Sequence, residues 1–228
     1  MRWSLKRIRG YQTRLLPGWW DYLRLRPIPF AAWTLWRAIG ARARVAPGGR
    51  PPVLAYERGK GRRVERERTE RLLRLFRSIQ GFDPATARLL CVGPRGVAEI
   101  LLLRLYGFRR IDAIDLISRD PLIQAGDMHA VPFGDAAFEV VYSAFTLTYG
   151  DPARALAEFR RVLKPSGLVA LAWGQASARI VHTAAGEFSA SPLSPEDVFR
   201  YLLPSHVYWW DSKAWDGGTA THYLLLRL

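Results

Sequence analysis

The chain has 228 residues, of which 49% are hydrophobic, and a formal net charge of +14 at pH 7. This length suits one α/β domain with an extension, and the apolar content is ample for a core. A single cysteine, Cys91, excludes a disulfide framework and a cysteine-rich metal cluster, and it fits a reducing cytoplasm. No apolar run reaches the roughly 20 residues that span a bilayer, and basic residues interrupt any secretory signal near the start. We therefore expect a protein that is soluble or lies on a surface.

The positive charge is concentrated in the first third of the chain. Residues 1–80 contain 20 Lys/Arg and 5 Asp/Glu, a net charge of +15, whereas the remaining residues contain 14 and 15, a net charge of −1. A basic segment joined to a neutral one indicates an anionic partner for the basic segment.

The sequence divides into a basic arm, residues 1–52, and a domain, residues 53–228. The arm holds five of the nine tryptophans among arginines and prolines, and a short helix is expected over Phe30–Ala41. Amphipathic rings settle at lipid headgroups and cations meet anionic lipids, so the composition suits an anionic membrane surface or a membrane protein. The same residues could stack on nucleic acid or pack on the chain's own core or a partner subunit. Proline breaks and the lack of a regular basic face disfavour nucleic acid, so we expect a cytoplasmic protein, peripheral on the inner face of a membrane.

The domain alternates strand and helix patterns along the chain. A helix is predicted over residues 63–80, either to cover a cofactor or as a plain packing helix, and Gly81 ends it. After it we predict strand 88–92, helix 97–106, strands 110–115, 123–125 and 138–143, helix 152–163, strand 168–173, a helix begun by Ser194, and a hairpin of 207–213 with 219–227. Successive crossovers make such a sheet mostly parallel, with the last strand antiparallel and helices on both faces.

The most informative spacing joins a glycine turn to an acid. Apolar residues stop at Gly93-Pro94-Arg95-Gly96 and resume in a helix, and Asp115 ends the next strand, 22 residues after Gly93. A glycine turn, a helix, a strand and then a carboxylate is how a nucleotide-binding βαβ unit places an acid on a ribose diol.

Two later stretches make this pattern of motifs more specific. Gly126-Asp127-Met128-His129-Ala130-Val131-Pro132-Phe133 leads into one strand, and Arg161-Val162-Leu163-Lys164-Pro165-Ser166-Gly167 leads into another. In this order, over about 90 of 228 residues, the series resembles the class I S-adenosylmethionine-dependent methyltransferases, type 11-like. The resemblance implies a Rossmann-like fold, S-adenosylmethionine as cofactor, and methyl transfer to a small or glycan/lipid-linked acceptor.

The resemblance also implies a set of cofactor-binding residues, namely Gly93, Arg95, Gly96, Glu99, Asp115, Asp127, Met128 and Ser143. Asp115 would accept hydrogen bonds from both ribose hydroxyls, the alternative being an acid that caps a nearby turn. Asp127 would accept from the adenine amino group, with Met128 beside the ring, the alternative being an Asx-turn. Ser143, with Tyr142, ends the strand where family members meet the substrate, although a core tyrosine is an equal alternative.

The glycine motif departs from the family pattern at three positions. Arg95 and Val97 stand where the second and third glycines are expected, and Cys91 replaces the acid that usually begins the motif. A similar subgroup carries an acid at the position of Glu99, so Glu99 or Arg95 would handle the amino-acid end of the cofactor. The alternative is that Glu99 is an ordinary solvated helix residue.

No catalytic base stands out in the sequence. Tyr149 occupies a position where many relatives have a histidine, and His129 and His182 are candidates that could equally be structural. No spacing of histidines and acids indicates a metal site. These departures motivate a second hypothesis, a catalytically inactive methyltransferase-fold subunit that acts as an interaction or structural component of a membrane-associated complex. An RNA methyltransferase is a third, suggested by charge alone.

Overall fold

The computed structural model describes residues 44–47, 51, 53, 66–94, 96–118, 120–175, 179–183, 186–190, 193–203, 205–215 and 219–228. The helix predicted over Phe30–Ala41, most of the basic arm and the side chain of His182 lie outside the described residues, as does Arg95. Within the described ranges, no helix combines the length and the apolar character needed to cross a membrane.

The strands in chain order are β1 (Arg44–Val45), β2 (Arg88–Val92), β3 (Arg110–Asp115), β4 (Ile117–Ser118), β5 (Gln124–Ala125), β6 (Phe138–Ala144), β7 (Leu163–Gln175), β8 (Arg179–Thr183), β9 (Gly186–Ala190), β10 (His206–Trp215) and β11 (Thr219–Arg227). The α-helices are α1 (Arg66–Leu75), α2 (Val97–Leu105), α3 (Pro152–Val162) and α4 (Pro195–Leu202). Short 3₁₀ turns follow α1 at Phe76–Ser78 and β6 at Leu147–Tyr149.

One seven-stranded sheet with the order β10-β11-β7-β6-β2-β3-β5 organises the domain. The pairs from β7 through β6, β2 and β3 to β5 are parallel, and β11 is antiparallel to both β7 and β10. The predicted fold class, a mostly parallel Rossmann-like sheet with an antiparallel C-terminal hairpin, is confirmed.

Helices cover both faces of the sheet because the central strands alternate their buried side chains between two cores. Leu168, Ala170 and Ala172 of β7 lie in the core that holds the apolar residues of α1 and α2. Their neighbours Val169 and Leu171 lie in the core that holds those of α3 and α4. All five residues are at most 2% exposed, as expected for strands buried on both faces.

The structure extends or adds several elements. Strand β7 begins at Leu163, five residues before the predicted start, because α3 passes directly into the strand through an irregular register in which Ser166 has φ 62°. The β8–β9 hairpin was not predicted, since its short strands lack a strong alternation. The other predicted strands and helices of the domain are present, and most of their ends lie within a few residues of the predicted positions.

Part of the segment assigned to the basic arm contacts the domain. Strand β1 pairs antiparallel with β4, so that Arg44 faces Ser118. The Arg44 guanidinium donates hydrogen bonds to the carbonyl oxygens of Asp120 at 2.6 Å and Ile123 at 2.9 Å. These contacts tie residues 44–46 to the loop that follows β3.

Arg161, within the most specific motif of the sequence, fixes the loop before β6. Its guanidinium forms a bidentate pair with Glu158 at 2.8 Å for both bonds, and it donates to Asp135 at 2.7 Å. It also donates to the carbonyl oxygens of Phe133 at 2.9 Å and Val131 at 3.0 Å. All five N–H donors are therefore used, which a lysine could not reproduce.

Arg161→Lys should lower the free energy of unfolding by about 2 kcal/mol at pH 7, since it removes a bidentate charged pair and two hydrogen bonds to the loop. The hydrogen bond from Arg161 is the main reason that the pKa of Glu158 lies below its usual 4.5. A carboxyl with a depressed folded pKa contributes stability above its unfolded pKa and loses it as pH falls. Urea unfolding should therefore show the loss shrinking below about pH 4.5.

Arg160→Lys is the matched control for this change. Arg160 is the preceding residue on α3, and its guanidinium donates to the Leu203 carbonyl at 2.9 Å on the exposed side. We expect a loss well under 1 kcal/mol. Equal losses in the two variants would contradict the role assigned to Arg161.

Candidate functional site

An open cleft lies where β2, β3 and β6 end. Strand β2 has β3 on one side and β6 on the other, so the strand order reverses here. Open α/β sheets bind ligands outside the carboxyl ends of their strands at such a switch point. The lining residues are Val92, Gly93, Ile114, Asp115, Leu116, Gly126, Met128, Phe145, Thr146 and Tyr149.

Gly93 forms the floor of the cleft in a conformation that requires glycine. Its φ is +70°, and a Cβ at this position would lie 2.1 Å from Oγ1 of Thr146. Its N–H donates to the Ile114 carbonyl at 2.8 Å, which ties the turn to the neighbouring strand. Gly96, the N-cap of α2, has φ +154° and open space around it. The backbone conformation of Gly93 and the contact with Thr146 therefore require glycine at this position. Contact between Gly93 and a ligand stays a prediction.

Asp115 is the last residue of β3 and lines the cleft. Its Oδ1 also accepts a hydrogen bond from the Ile117 N–H at 3.2 Å. The turn-capping contact and the position beside the cleft therefore occur together. The hydrogen bond to a ribose diol stays a prediction.

Glu99 is buried in the first turn of α2, with 4% of its surface exposed. This excludes the alternative of an ordinary solvated helix residue. The Tyr142 hydroxyl donates to Glu99 Oε1 at 3.0 Å. Burial first, and then the negative charge of Glu99, raise the pKa of Tyr142 well above its usual value. Burial is also the larger cause, and the charge of Glu99 the next, of the raised pKa of the Cys91 thiol. The Tyr142 hydroxyl and the Cys91 thiol therefore both stay protonated near Glu99.

Asp127 and His129 form a hydrogen-bonded pair beside the cleft. Asp127 Oδ1 accepts from the His129 N–H at 2.9 Å and lies 2.6 Å from His129 Nδ1. His129 Nε2 accepts from the Asp151 N–H at 2.9 Å, so Nδ1 is the ring nitrogen that donates to Asp127. The hydrogen bond from His129 is also the main reason that the pKa of Asp127 lies below its usual value.

This hydrogen-bonded pair concerns two predictions from the sequence, the adenine contact of Asp127 and the role of His129 as a base. The turn contacts of Asp127 are those of the Asx-turn alternative, and Asp127 is not among the residues that line the cleft, whereas Met128 is. The contact of Asp127 with adenine stays a prediction. His129 is a poor candidate for a base, because both ring nitrogens already hold the loop and the N-terminus of α3.

Ser143 is fully buried at the end of β6, and its hydroxyl has no hydrogen-bond partner within the described part of the chain. It does not line the cleft, whereas Tyr149 does. The predicted contact between Ser143 and a ligand is untested. Among the described side chains, no group of three His, Cys, Asp or Glu is arranged to hold a metal ion.

Phe145 and Thr146 line the cleft and were missed by the sequence analysis. Phe145 has φ 60°, a left-handed conformation that is rare for a bulky residue and costs on the order of 1–3 kcal/mol. Its N–H donates to the Ala172 carbonyl at 2.6 Å, which holds the backbone in this position. No turn residue in the sequence marks the site, so no local signal could have revealed it.

Comparison with known proteins gives the same family as the motifs. Residues 92–171 match the profile of the family described as "Methyltransferase domain". The malonyl-[acyl-carrier protein] O-methyltransferase of Halorhodospira halophila is 32% identical over 124 residues, which are 48% of this chain and 41% of that protein. The chain thus spans about two fifths of the length of that relative.

Solved structures share the fold at low sequence identity. The 1,6-didemethyltoxoflavin-N1-methyltransferase of Burkholderia thailandensis, solved with 1,6-didemethyltoxoflavin and S-adenosylhomocysteine, is similar over 89% of this chain and 90% of that chain, with a TM-score of 0.57 and 16% identity. The [4+2]-cyclase SpnF is similar over 77% and 90%, with a TM-score of 0.55 and 16% identity. One fold therefore serves different reactions among these neighbours.

The profile match covers the glycine turn, Asp115 and the motif around Arg161, which are the residues that carried the resemblance. Residues 92–171 are therefore similar to a methyltransferase domain, and the solved structures share the fold of the described domain.

Proposed function

We propose that the protein transfers the methyl group of S-adenosylmethionine to a small or glycan/lipid-linked acceptor. The observation that supports this most strongly is the cleft at the switch point of the sheet. There a glycine with φ +70° allows close approach of the backbone, and a carboxylate lies on the next strand. The cofactor carries a ribose diol and no phosphate, so a carboxylate beside a glycine turn suits it.

Three residues that line the cleft, and the buried Glu99, which is not among the lining residues, would fit the parts of the cofactor. Asp115 would accept from the ribose hydroxyls, and Met128 would give an apolar wall to the adenine ring. The backbone at Gly93 would follow the ribose and the chain that leads to sulfur. Glu99, a buried carboxylate in the first turn after the glycine turn, would pair with the ammonium group of the amino-acid end.

The cofactor supplies a methyl group that its sulfonium already activates. The chain would therefore act chiefly by position, since holding donor and acceptor in line can account for much of the acceleration of a displacement. Phe145 and Tyr149, which also line the cleft, would form the wall against which an acceptor lies and would exclude water. We assign no residue as a base.

The acceptor class is the finer part of the proposal. The Halorhodospira relative acts on a malonyl group carried by a protein, and the Burkholderia neighbour was solved with a small heterocycle. Transfer of tritium from methyl-labelled S-adenosylmethionine to panels of small, glycan-linked, lipid-linked and RNA acceptors tests it. Labelling of a small, glycan-linked or lipid-linked acceptor would support the proposal. Labelling of RNA alone, or cofactor binding without transfer to any panel, would contradict it.

We also propose that the basic arm holds the protein on an anionic membrane surface. The support is compositional, because residues 1–80 carry +15 and most of the tryptophans lie in residues 1–52. Each basic residue near such a surface contributes about 1 kcal/mol, and ring insertion is not screened by salt.

Full-length protein should co-sediment with vesicles that contain phosphatidylserine and should bind more weakly to neutral vesicles. Raising the salt should weaken this binding without abolishing it. Replacing Trp19 and Trp20 with alanine should remove most of the binding that survives in salt. Unchanged binding in that variant, or displacement of the vesicles by RNA, would contradict the proposal.

A further inference from the structure

A short chain of buried hydroxyl and carboxyl groups connects β6, α2 and α1. The Tyr142 hydroxyl on β6 donates to Glu99 Oε1 on α2 at 3.0 Å. The hydroxyl of Thr69 on α1 interacts with the same phenol oxygen. Tyr142 is fully buried, and Thr69 and Glu99 are each 4% exposed. These groups occupy an otherwise apolar core between α1, α2 and the sheet.

The direction of the chain follows from the chemistry of its members. The single phenol proton of Tyr142 is donated to Glu99, so the phenol oxygen can only accept from Thr69. Removing one member would leave a buried polar group unsatisfied, which costs more than the bond itself contributes. The arrangement therefore restricts the Glu99 side chain to one orientation.

The carboxylate held in this way is close to the end of β2. Cys91 is paired in register with Tyr142 of the neighbouring strand, whose hydroxyl bonds Glu99. Burial, and then the charges of Glu99 and Asp115, raise the pKa of the Cys91 thiol. Cys91 stands where the family motif usually has an acid, two residues before Gly93. The structure thus brings a carboxylate from α2 close to the position at which the strand lacks one.

We infer that Tyr142 is a positioning residue that orients the Glu99 carboxylate toward the ammonium group of the cofactor, with Thr69 holding the phenol from α1. This inference rests on the proposed function. In this arrangement, α2 supplies the carboxylate that β2 lacks at Cys91. Helix α1 is then part of the cofactor site, although it contributes no residue to the lining of the cleft.

The test compares two ligands that differ at the amino-acid end. S-adenosylhomocysteine carries the ammonium group, whereas 5′-methylthioadenosine has the adenine, ribose and sulfur without it. Tyr142→Phe should weaken binding of S-adenosylhomocysteine about 10-fold, on the scale of a hydrogen bond to a charged group. Its effect on 5′-methylthioadenosine should be within about 2-fold. Tyr223→Phe is the matched control, because it removes the hydroxyl of another buried tyrosine in the same core that does not line the cleft, and it should change neither affinity.

A cycle with Glu99→Gln tests whether Tyr142 acts through Glu99. In the Glu99→Gln background, Tyr142→Phe should have little further effect on S-adenosylhomocysteine affinity. If Tyr142→Phe folds poorly, Thr69→Val should show a smaller loss with the same ligand selectivity.

Equal losses for both ligands, independent effects in the cycle, or no loss at all would overturn the inference while leaving the proposed function intact. Wild-type protein that binds neither S-adenosylmethionine nor S-adenosylhomocysteine would overturn both.

Discussion

Asp115→Ala should weaken binding of S-adenosylhomocysteine by about 1.5–3 kcal/mol, or roughly 10- to 150-fold. The carboxylate ends β3 at the edge of the cleft, where it would accept hydrogen bonds from both ribose hydroxyls. Asp115→Asn keeps an acceptor for the Ile117 N–H. A loss of ligand affinity that Asp115→Ala and Asp115→Asn share is therefore due to the missing negative charge. Calorimetric titration measures the change.

Asp112→Ala is the control on the same strand. Asp112 pairs with Arg88 at 2.8 Å and is not among the residues that line the cleft. This variant should lose at most about 1 kcal/mol of stability, because the pair is partly exposed, and it should bind the ligand normally. Equal ligand affinity in wild type and Asp115→Ala would show that the ribose assignment is wrong.

Gly93→Ala should both destabilise the domain and abolish measurable binding. A left-handed φ costs on the order of 1–2 kcal/mol for alanine, and the new methyl group would collide with Thr146, whose Oγ1 lies 2.1 Å from the Cβ position. Relief requires movement of Thr146 or of the turn, and both line the cleft. We expect a total loss of about 3 kcal/mol in the free energy of unfolding, read from urea unfolding.

Gly81→Ala separates the cost of a left-handed φ from the cost of the collision with Thr146. Gly81 has φ +75°, close to that of Gly93, yet a Cβ there would meet nothing within 4 Å. Its variant should lose only the conformational part of the stability and should bind ligand normally. Similar losses of stability and affinity in both variants would mean that Thr146 does not enforce glycine at position 93.

The elements of the domain were predictable because strong local patterns mark them. Strand β3 ends at Asp115 as predicted, since an apolar run stops there before polar residues. Ser194 was predicted as the N-cap of α4, and its side chain forms a capping box with Asp197. The mostly parallel direction of the strands followed from the successive crossovers that connect them.

The contacts that decide the roles of site residues were not predictable. Apolar residues surround most of α2, so periodicity did not reveal that Glu99 is 4% exposed. The partner of Glu99, Tyr142, is 43 residues away along the chain. His129 resembles a free base in the sequence, yet its Nε2 is used by the N–H of Asp151, 22 residues later. Such pairings depend on how distant elements meet and leave no mark in local sequence.

The central claim is that the cleft at the ends of β2 and β3 binds S-adenosylmethionine despite the altered glycine motif. Calorimetric titration of the full-length protein with S-adenosylmethionine and with S-adenosylhomocysteine tests it most directly. We predict one site per chain for each ligand, and binding at that site weakened roughly 10- to 150-fold in Asp115→Ala. Absence of binding by either ligand to the folded wild-type protein would contradict the claim.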